Sequence, residues 1–358
     1  MNIDSELAGW HDAGEQVAVA TVVAVHGSVP RSLGARFALS SSGRMAGSVS
    51  GGCVEGDVCR RAQEVITNGR AVTASFAVGE TGEAGVALSC GGGIEVPIER
   101  FADDAVWRAS RSAAVDGRAV VRVASVAPIS FLGRRMTVSS VDVVGSIASD
   151  VDAAIIEAAR SLLQSGGDAG VQTVGSGSRA LSVFLEPVHA AARVFIVGGT
   201  DTASALARIA KVLGFRVVLL DAREAYLSAR RFPDADEIRC AWPADVLADA
   251  RLDERSHVVT LTHDAKIDVP ALAAALRSPA CYIGALGSRR THALRRERLA
   301  DLGFRDSDLA RIHAPIGLDL GGRAPEEIAL SIASEIVANR YGRESRSLVT
   351  EGLGRRAG

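Results

Sequence analysis

The chain has 358 residues, 47% of them apolar and 23% charged, which is enough for two domains that each bury a core. A formal net charge of -2 argues against any bulk electrostatic role on nucleic acid or at a membrane surface, so an anion has to be bound by a local site. No apolar run reaches the length of a membrane span, and Met1 to Gly14 lacks the apolar core of a secretory signal, so a cytoplasmic protein is expected.

The five cysteines, Cys53, Cys59, Cys90, Cys240 and Cys281, are odd in number and scattered, with no Cys-x-x-Cys pair. That pattern fits neither a disulfide framework nor a zinc ribbon, and reduced thiols are expected.

In chain order, Gln16 to Val25 reads as one continuous strand buried on both faces, ending at the His26 to Arg31 loop. Arg36 to Ser41 and Met45 to Val49 read as a hairpin leading into Gly51-Gly52-Cys53. An apolar stripe of Val54, Val58, Ala62, Val65 and Ile66 predicts a helix with Cys53 in its first turn, where the helix dipole favours thiolate. Such a sulfur could attack, carry sulfur or bind a soft metal; it could equally be a small apolar plug in a tight turn. The loop after the first strand and this glycine turn are expected to share one rim.

Ala71 to Val78 alternates as a half-exposed strand, Gly79 to Cys90 is a glycine-rich loop, and Pro97 puts the Ile94 to Glu99 strand at an edge. A second cysteine beside glycines, in Ser89-Cys90-Gly91-Gly92-Gly93, points to a site shared with Cys53. Further strands are predicted at Ala119 to Val126 and Thr137 to Ile147. Ser149 is expected to cap a helix over Asp150 to Gln164; Gly166 to Gly177 reads as a flexible polar stretch, and Ala180 to Glu186 as a last strand. This half is α+β by pattern, with no internal repeat evident.

After Pro187 to Ala192 the organisation changes. Strand Arg193 to Val197, turn Gly198-Gly199-Thr200-Asp201, helix Ala203 to Leu213 and strand Val217 to Leu220 ending at Asp221 make a βαβ unit. Its acidic residue lies about twenty positions beyond the turn, as in dinucleotide folds. Strands and helices alternate to Glu326 to Asn339, which has Pro325 at its first position. The fold class is therefore α/β: an α+β domain over residues 1–188, a Rossmann-like doubly wound parallel sheet over 189–342, and a flexible tail over 343–358.

The glycine fingerprint is incomplete, since its three positions hold Gly198, Thr200 and Ala203. NAD(P) binding stays open on this pattern, against a first turn that is closed. Ligands of open α/β sheets lie beyond the carboxyl ends of the strands, which nominates Asp201, Asp221 with Arg223, Thr262-His263-Asp264, and Gly287-Ser288-Arg289. Ser288 and Arg289 open a helix whose free N–H groups suit a phosphate. His263-Asp264 is either an acid-base pair or the start of the next helix. Arg290, Arg295, Arg296 and Arg298 are expected on a solvated or partner-facing surface.

With these residues in hand, the chain resembles the XdhC/CoxI family, accessory factors of xanthine dehydrogenase and related molybdenum hydroxylases. The matching words are Gly27-Ser28-Val29-Pro30, Gly34-Ala35-Arg36, Gly47 to Glu55, and Cys90-Gly91-Gly92 with Ile94-Glu95-Val96. In the second half they are Leu261 to Asp264, Tyr282 to His292, and Arg311 to Gly321. One departure stands out: Gly198-Gly199-Thr200-Asp201 replaces the family's usual Gly-Ala-Gly-His.

The resemblance implies a factor that binds the molybdenum cofactor (molybdopterin), shields it while a cysteine desulfurase replaces an oxo ligand with sulfido, and delivers it to a hydroxylase subunit. It is thus a cofactor-binding chaperone more than a turnover enzyme, with a homodimer as one assembly. On that basis Ser288-Arg289 holds the phosphate end and Cys53, with Cys90, faces the molybdenum. Two other readings stay open: an NAD(P)-dependent oxidoreductase, and a non-catalytic interaction protein with a degenerate cofactor site.

Overall fold

The computed structural model describes residues 3–77, 92–177 and 180–342. The chain divides into two compact units that meet in sequence at Ala190 and Ala191.

The first unit is built twice from one plan. A helix α1 (Asp4–Asp12) precedes strand β1 (Val17–Thr21), and β2 (Ala24–His26), β3 (Arg36–Ser40), β4 (Met45–Gly47), helix α2 (Glu55–Asn68), β5 (Val72–Phe76) and β6 (Gly93–Arg100) follow. The second pass runs α3 (Ala105–Val115), β7 (Val120–Ala127), β8 (Arg135–Val138), β9 (Val143–Gly145), α4 (Asp152–Ser165), β10 (Gly170–Val174) and β11 (Leu181–Val188). The first sheet has the order β5-β6-β1-β3-β4 with β2 also on β6, and the second has β10-β11-β7-β8-β9. Registers correspond: Thr21 faces Arg36 as Ala124 faces Arg135, and Phe37 faces Gly47 as Met136 faces Gly145. The unit is thus an internal duplication, which corrects the expectation of no repeat.

Charges confirm the correspondence by crossing it. Arg36 of the first copy pairs with Glu186 of the second, and Arg135 of the second pairs with Glu99 of the first at 3.7 Å. Since Glu99 faces Val19 as Glu186 faces Arg122, the pairs are reciprocal, as an approximate two-fold axis requires.

Several local expectations need correction. The strand expected over Gln16 to Val25 is broken at Val22 and Val23 into β1 and β2, which pair with different stretches of β6. Pro97 lies on β6, which is central; it falls between the ladder to β2, at Gly93 to Glu95, and the ladder to β1, at Ile98 to Arg100. A missing N–H is tolerated at such a gap. Thr137 to Ile147 is a hairpin, β8 and β9, turned at Ser139 to Asp142. Gly170–Val174 of the stretch expected to be flexible is strand β10, paired along its length with β11.

Helix α4 is not capped by Ser149. Its first residue, Asp152, folds its carboxylate back onto the N–H groups of Ile147 and Ala148 at 3.0 and 2.9 Å and onto the Ser146 hydroxyl. Glu55 does the same at α2. Helices α2 and α4 each bury one apolar face, Val58, Ala62 and Val65 in one and Ile155 and Ala159 in the other, against their sheets.

The second unit has six parallel strands: β12 (Arg193–Val197), β13 (Arg216–Asp221), β14 (Glu237–Cys240), β15 (Ser256–Thr260), β16 (Tyr282–Ala285) and β17 (Ile312–His313). Their order, β14-β13-β12-β15-β16-β17, is the 3-2-1-4-5-6 order of doubly wound dinucleotide folds. Helices α5 (Asp201–Val212), α6 (Pro243–Asp249), α7 (Ala265–Leu276), α8 (Arg289–Asp301), α9 (Asp306–Leu309) and α10 (Pro325–Arg340) connect and close it. One apolar core packs α5 and α10 on the sheet, and another packs α6, α7 and α8 on it. The expected helix over Glu326 to Asn339 is α10, with Pro325 at its first position. The tail expected over 343–358 lies outside the described residues.

Candidate functional site

In the first unit the Gly47 to Glu55 turn is organised by one carboxylate. Glu55 accepts the Ser48 hydroxyl at 2.6 Å, the N–H groups of Ser50, Gly51 and Gly52 at 2.9, 3.0 and 2.8 Å, and the Ser50 hydroxyl. Burial pushes the Glu55 pKa up, but the hydrogen bonds from Ser48, Ser50 and the backbone outweigh it and bring it down to about 2. The nest of N–H groups is therefore already filled by an anion of the chain itself. Gly51 and Gly52 have φ of +78° and +123°, which residues with a Cβ rarely adopt.

Cys53 stands at the exposed tip of this turn. The sequence pattern put it in the first turn of the helix, but α2 starts at Glu55 with Val54 as its N-cap. Stripe periodicity locates a helix face well and its first residue poorly. Cys90 lies outside the described residues. Two positions on, Gly92 is so close to the loop after β2 that a Cβ on it would meet the Ser28 and His26 carbonyl oxygens at 2.3 and 2.6 Å. Pro30 of the same loop borders Gly51, so this loop and the Gly51-Gly52-Cys53 turn adjoin, as expected for a shared rim.

In the second unit, loops after four strands line one edge of the sheet. After β12, Gly198 has φ +111° and touches Thr262, while Thr200 accepts from the Ala203 N–H at 3.1 Å and so caps α5. Asp201 is the exposed first residue of α5 and pairs with Arg231. After β13, Asp221 is fully buried and accepts from the Gly199 N–H, the Arg223 N–H and two guanidinium nitrogens of Arg223, all at 2.9–3.0 Å. Burial raises its pKa, but these bonds win and hold it below the ordinary aspartate value. Arg223 lies over the Tyr226 ring at 4.0 Å, and a Cβ on Gly199 would meet the Tyr226 carbonyl oxygen at 2.4 Å. The carboxylate that would hold a ribose is spent, and the turn that would meet a pyrophosphate is covered. These residues do not fit a nicotinamide dinucleotide.

After β15, His263 is exposed at φ +60°, a conformation costly for a residue with a side chain. Asp264 caps α7 by accepting the Lys266 N–H at 2.9 Å, and no hydrogen bond joins it to the His263 ring. After β16, Gly287 has φ +141°, and Ser288 caps α8, accepting from Thr291 N–H at 3.1 Å. The N–H groups of Arg289 and Arg290 precede the first helical bond and point outward. Arg289 and Arg290 are exposed and form no ion pair among the described residues. This end of α8 can therefore receive a phosphate.

Arg295 is not on the surface as expected. It is 3% exposed, donates to the Leu286 carbonyl at 2.7 Å and pairs with Asp268 at 2.5 Å; Asp268 in turn accepts the Thr262 hydroxyl at 2.6 Å. The pair ties the loops after β15 and β16 together. Sequence reasoning also missed Glu335, which accepts from the Tyr282 phenol, the Gly317 N–H at 2.7 Å and the His313 ring at 3.2 Å. The only signal for it was that Tyr282, His313 and Gly317 fall in the words matched to the family. Among the described residues no cluster of His, Cys, Asp or Glu has the makings of a metal site, and no helix is long and apolar enough to cross a membrane.

Fold and site together define a two-part α/β protein with a Rossmann-ordered second part, in which Ser288 caps an exposed helix end at α8 and Asp221 is committed to Gly199 and Arg223 beside α5. The chain belongs to the XdhC/CoxI family: the model described as the XdhC Rossmann domain matches residues 194–336, and that described as the XdhC and CoxI family matches residues 10–77. It is 26% identical over 343 residues to a probable xanthine dehydrogenase subunit of Bacillus subtilis (strain 168), covering 95% of this chain and 98% of that one. It is 27% identical over 335 residues to the molybdenum cofactor insertion chaperone PaoD of Escherichia coli (strain K12), covering 94% of this chain and 87% of that one. A crystal structure of a xanthine dehydrogenase from Bacillus halodurans has the same fold, with a TM-score of 0.76 at 24% identity over 97% of this chain and 98% of that one.

Proposed function

We propose that the protein binds the molybdenum cofactor and inserts it into a xanthine dehydrogenase-type hydroxylase. What supports this reading is its family, its likeness over nearly full length to PaoD, and an exposed helix end whose loop is fixed from below by Arg295 and Asp268. The free N–H groups of Arg289 and Arg290, the Ser288 hydroxyl and the Arg289 guanidinium would hold the cofactor's phosphate. The bound cofactor supplies a soft, sulfur-ligated molybdenum centre, for which an exposed thiol is a suitable neighbour. Cys53, with Cys90, is assigned that role, and a cysteine desulfurase is assigned the supply of the sulfido sulfur. A hydroxylase subunit is the acceptor; the assembly is taken to be a homodimer in the cytoplasm.

The experiment is gel filtration of the protein mixed with released molybdenum cofactor, followed by assay of co-eluting molybdenum and pterin. Retention by the parent chain, reduced at least severalfold in Arg289→Ala and in Cys53→Ala, is the expected result. Co-elution of neither metal nor pterin, together with no activation of an apo-hydroxylase, would refute the reading.

A further inference from the structure

The first unit holds a cavity of about 90 Å³ between its two copies, where the reciprocal charges meet. That volume is several times what one water requires. The two copies furnish it unequally. Arg36 is hydrogen-bonded to Glu186, and Arg122 to Asp4 and Ser110 at 2.7 and 2.8 Å. Arg135, the counterpart of Arg36, has its carboxylate partners at 3.7 and 3.6 Å, beyond hydrogen-bond reach, and its buried Nε has no partner. Ser125 lines the same cavity, 3% exposed, and its Oγ has no partner either. The Glu99 carboxylate accepts no hydrogen bond among the described residues, and its burial, only partly offset by Arg135 and Arg36, raises its pKa.

Buried polar atoms are nearly always hydrogen-bonded in folded proteins, so the Arg135 Nε and the Ser125 Oγ point to a guest, and the partly exposed Glu99 carboxylate lines the same cavity. Arg135 calls for an acceptor and Glu99 for a donor, with Ser125 able to serve as either. The wall carries Arg36, Arg122 and Arg135 against Asp4, Glu99 and Glu186, a balance of charge that an added anion would upset in a poorly solvated space. Trp107, Phe184 and Met136 supply apolar walls for the body of a small molecule.

We propose that this cavity binds a small neutral molecule through an amide edge, a carbonyl beside an N–H as in lactams and ureides. The carbonyl takes the Arg135 and Ser125 donors, and the N–H is given to Glu99. The site is lined wholly by residues of the first unit and does not depend on the cofactor reading.

The test is ligand-observed saturation-transfer NMR on the full chain with δ-valerolactam, compared with cyclohexanone, which has the carbonyl without the N–H, and with acetate. Saturable lactam binding is expected, with cyclohexanone weaker by about tenfold, the equivalent of one lost hydrogen bond, and no competition from acetate. Ser125→Ala, which removes only a hydroxyl, should weaken the lactam about fivefold, and Arg135→Met should abolish the signal. No saturable lactam binding, acetate binding as well as the lactam, or an unchanged Ser125→Ala would each overturn the proposal, the first meaning that the cavity holds only water.

Discussion

Arg295 and Asp268 form an ion pair at 2.5 Å with only 3% and 0% of their surfaces exposed, joining helix α8 to helix α7 beneath the loops of the candidate phosphate site. Such a pair is expensive to break because the survivor stays buried and charged. Asp268→Asn should therefore lower stability by about 3–5 kcal/mol in urea denaturation. Replacing both residues, Asp268→Leu with Arg295→Met, should restore most of that loss. If the single variant unfolds with the parent midpoint, the pair is not what holds the loops.

Glu55 predicts an acid-sensitive turn. Its pKa is about 2 in the folded chain against 4.5 without structure. A depressed carboxylate stabilises the fold fully above the unfolded value, and that contribution fades as pH falls from about 4.5 towards 2. Because the carboxylate is largely solvent-screened, the contribution is taken as about 1–2 kcal/mol, not the full linkage value. Glu55→Gln should lose that amount at pH 7 and show a flatter stability profile between pH 5 and 3. Parallel profiles for parent and variant would remove Glu55 from the account.

Equivalent glycines of the duplication should fail alike. Gly47 at φ +74° and Gly145 at φ +93° each face the carbonyl of an arginine, so that an added Cβ would stand 2.1 Å from the Arg36 oxygen or 2.5 Å from the Arg135 oxygen. Gly166, at φ +65°, meets nothing within 4 Å. Gly47→Ala and Gly145→Ala should each cost more than about 3 kcal/mol, since backbone must move, whereas Gly166→Ala should cost about 1 kcal/mol of strain alone. Thermal melts of the three variants decide it, and equal costs would mean that the carbonyl contact is not the constraint.

These glycines also explain what the sequence reveals and what it hides. The parallel sheet of the second unit is legible because buried strands are continuous apolar runs and alternate with amphipathic helices. The duplication is hidden because β1 and β3 are separated by fourteen residues including β2, whereas only seven, containing a short 3-10 turn, separate β7 from β8. What survives is sparse: Arg36 with Arg135, Gly47-Ser48 with Gly145-Ser146, Glu99 with Glu186. At the site, Ser288 announces itself as a cap by local pattern. Asp268, Arg295 and Tyr226 do not, because their roles arise from contacts between segments that are not neighbours in sequence. Arg295 looks like its neighbours, the half-buried Arg296 and the exposed Arg298, and only packing against Asp268 separates it from them.

Thr200 tests whether a missing glycine or a covered turn shuts out dinucleotides. If the Thr200 side chain were the obstacle, Thr200→Gly would restore the family's glycine at that position and admit NAD. The geometry argues otherwise, because the Tyr226 carbonyl oxygen lies over Gly199 and Asp221 is committed to Gly199 and Arg223. Neither of these changes when Thr200 loses its side chain. Calorimetric titration should give no saturable heat with NAD or NADPH for the parent or for Thr200→Gly. The same substitution should cost only a few tenths of a kcal/mol, since glycine is a tolerable N-cap, while Thr200→Val should cost about 1 kcal/mol by leaving the Ala203 N–H uncapped. Micromolar NAD binding gained by Thr200→Gly alone would place the barrier at that side chain and free Asp221 for a ribose.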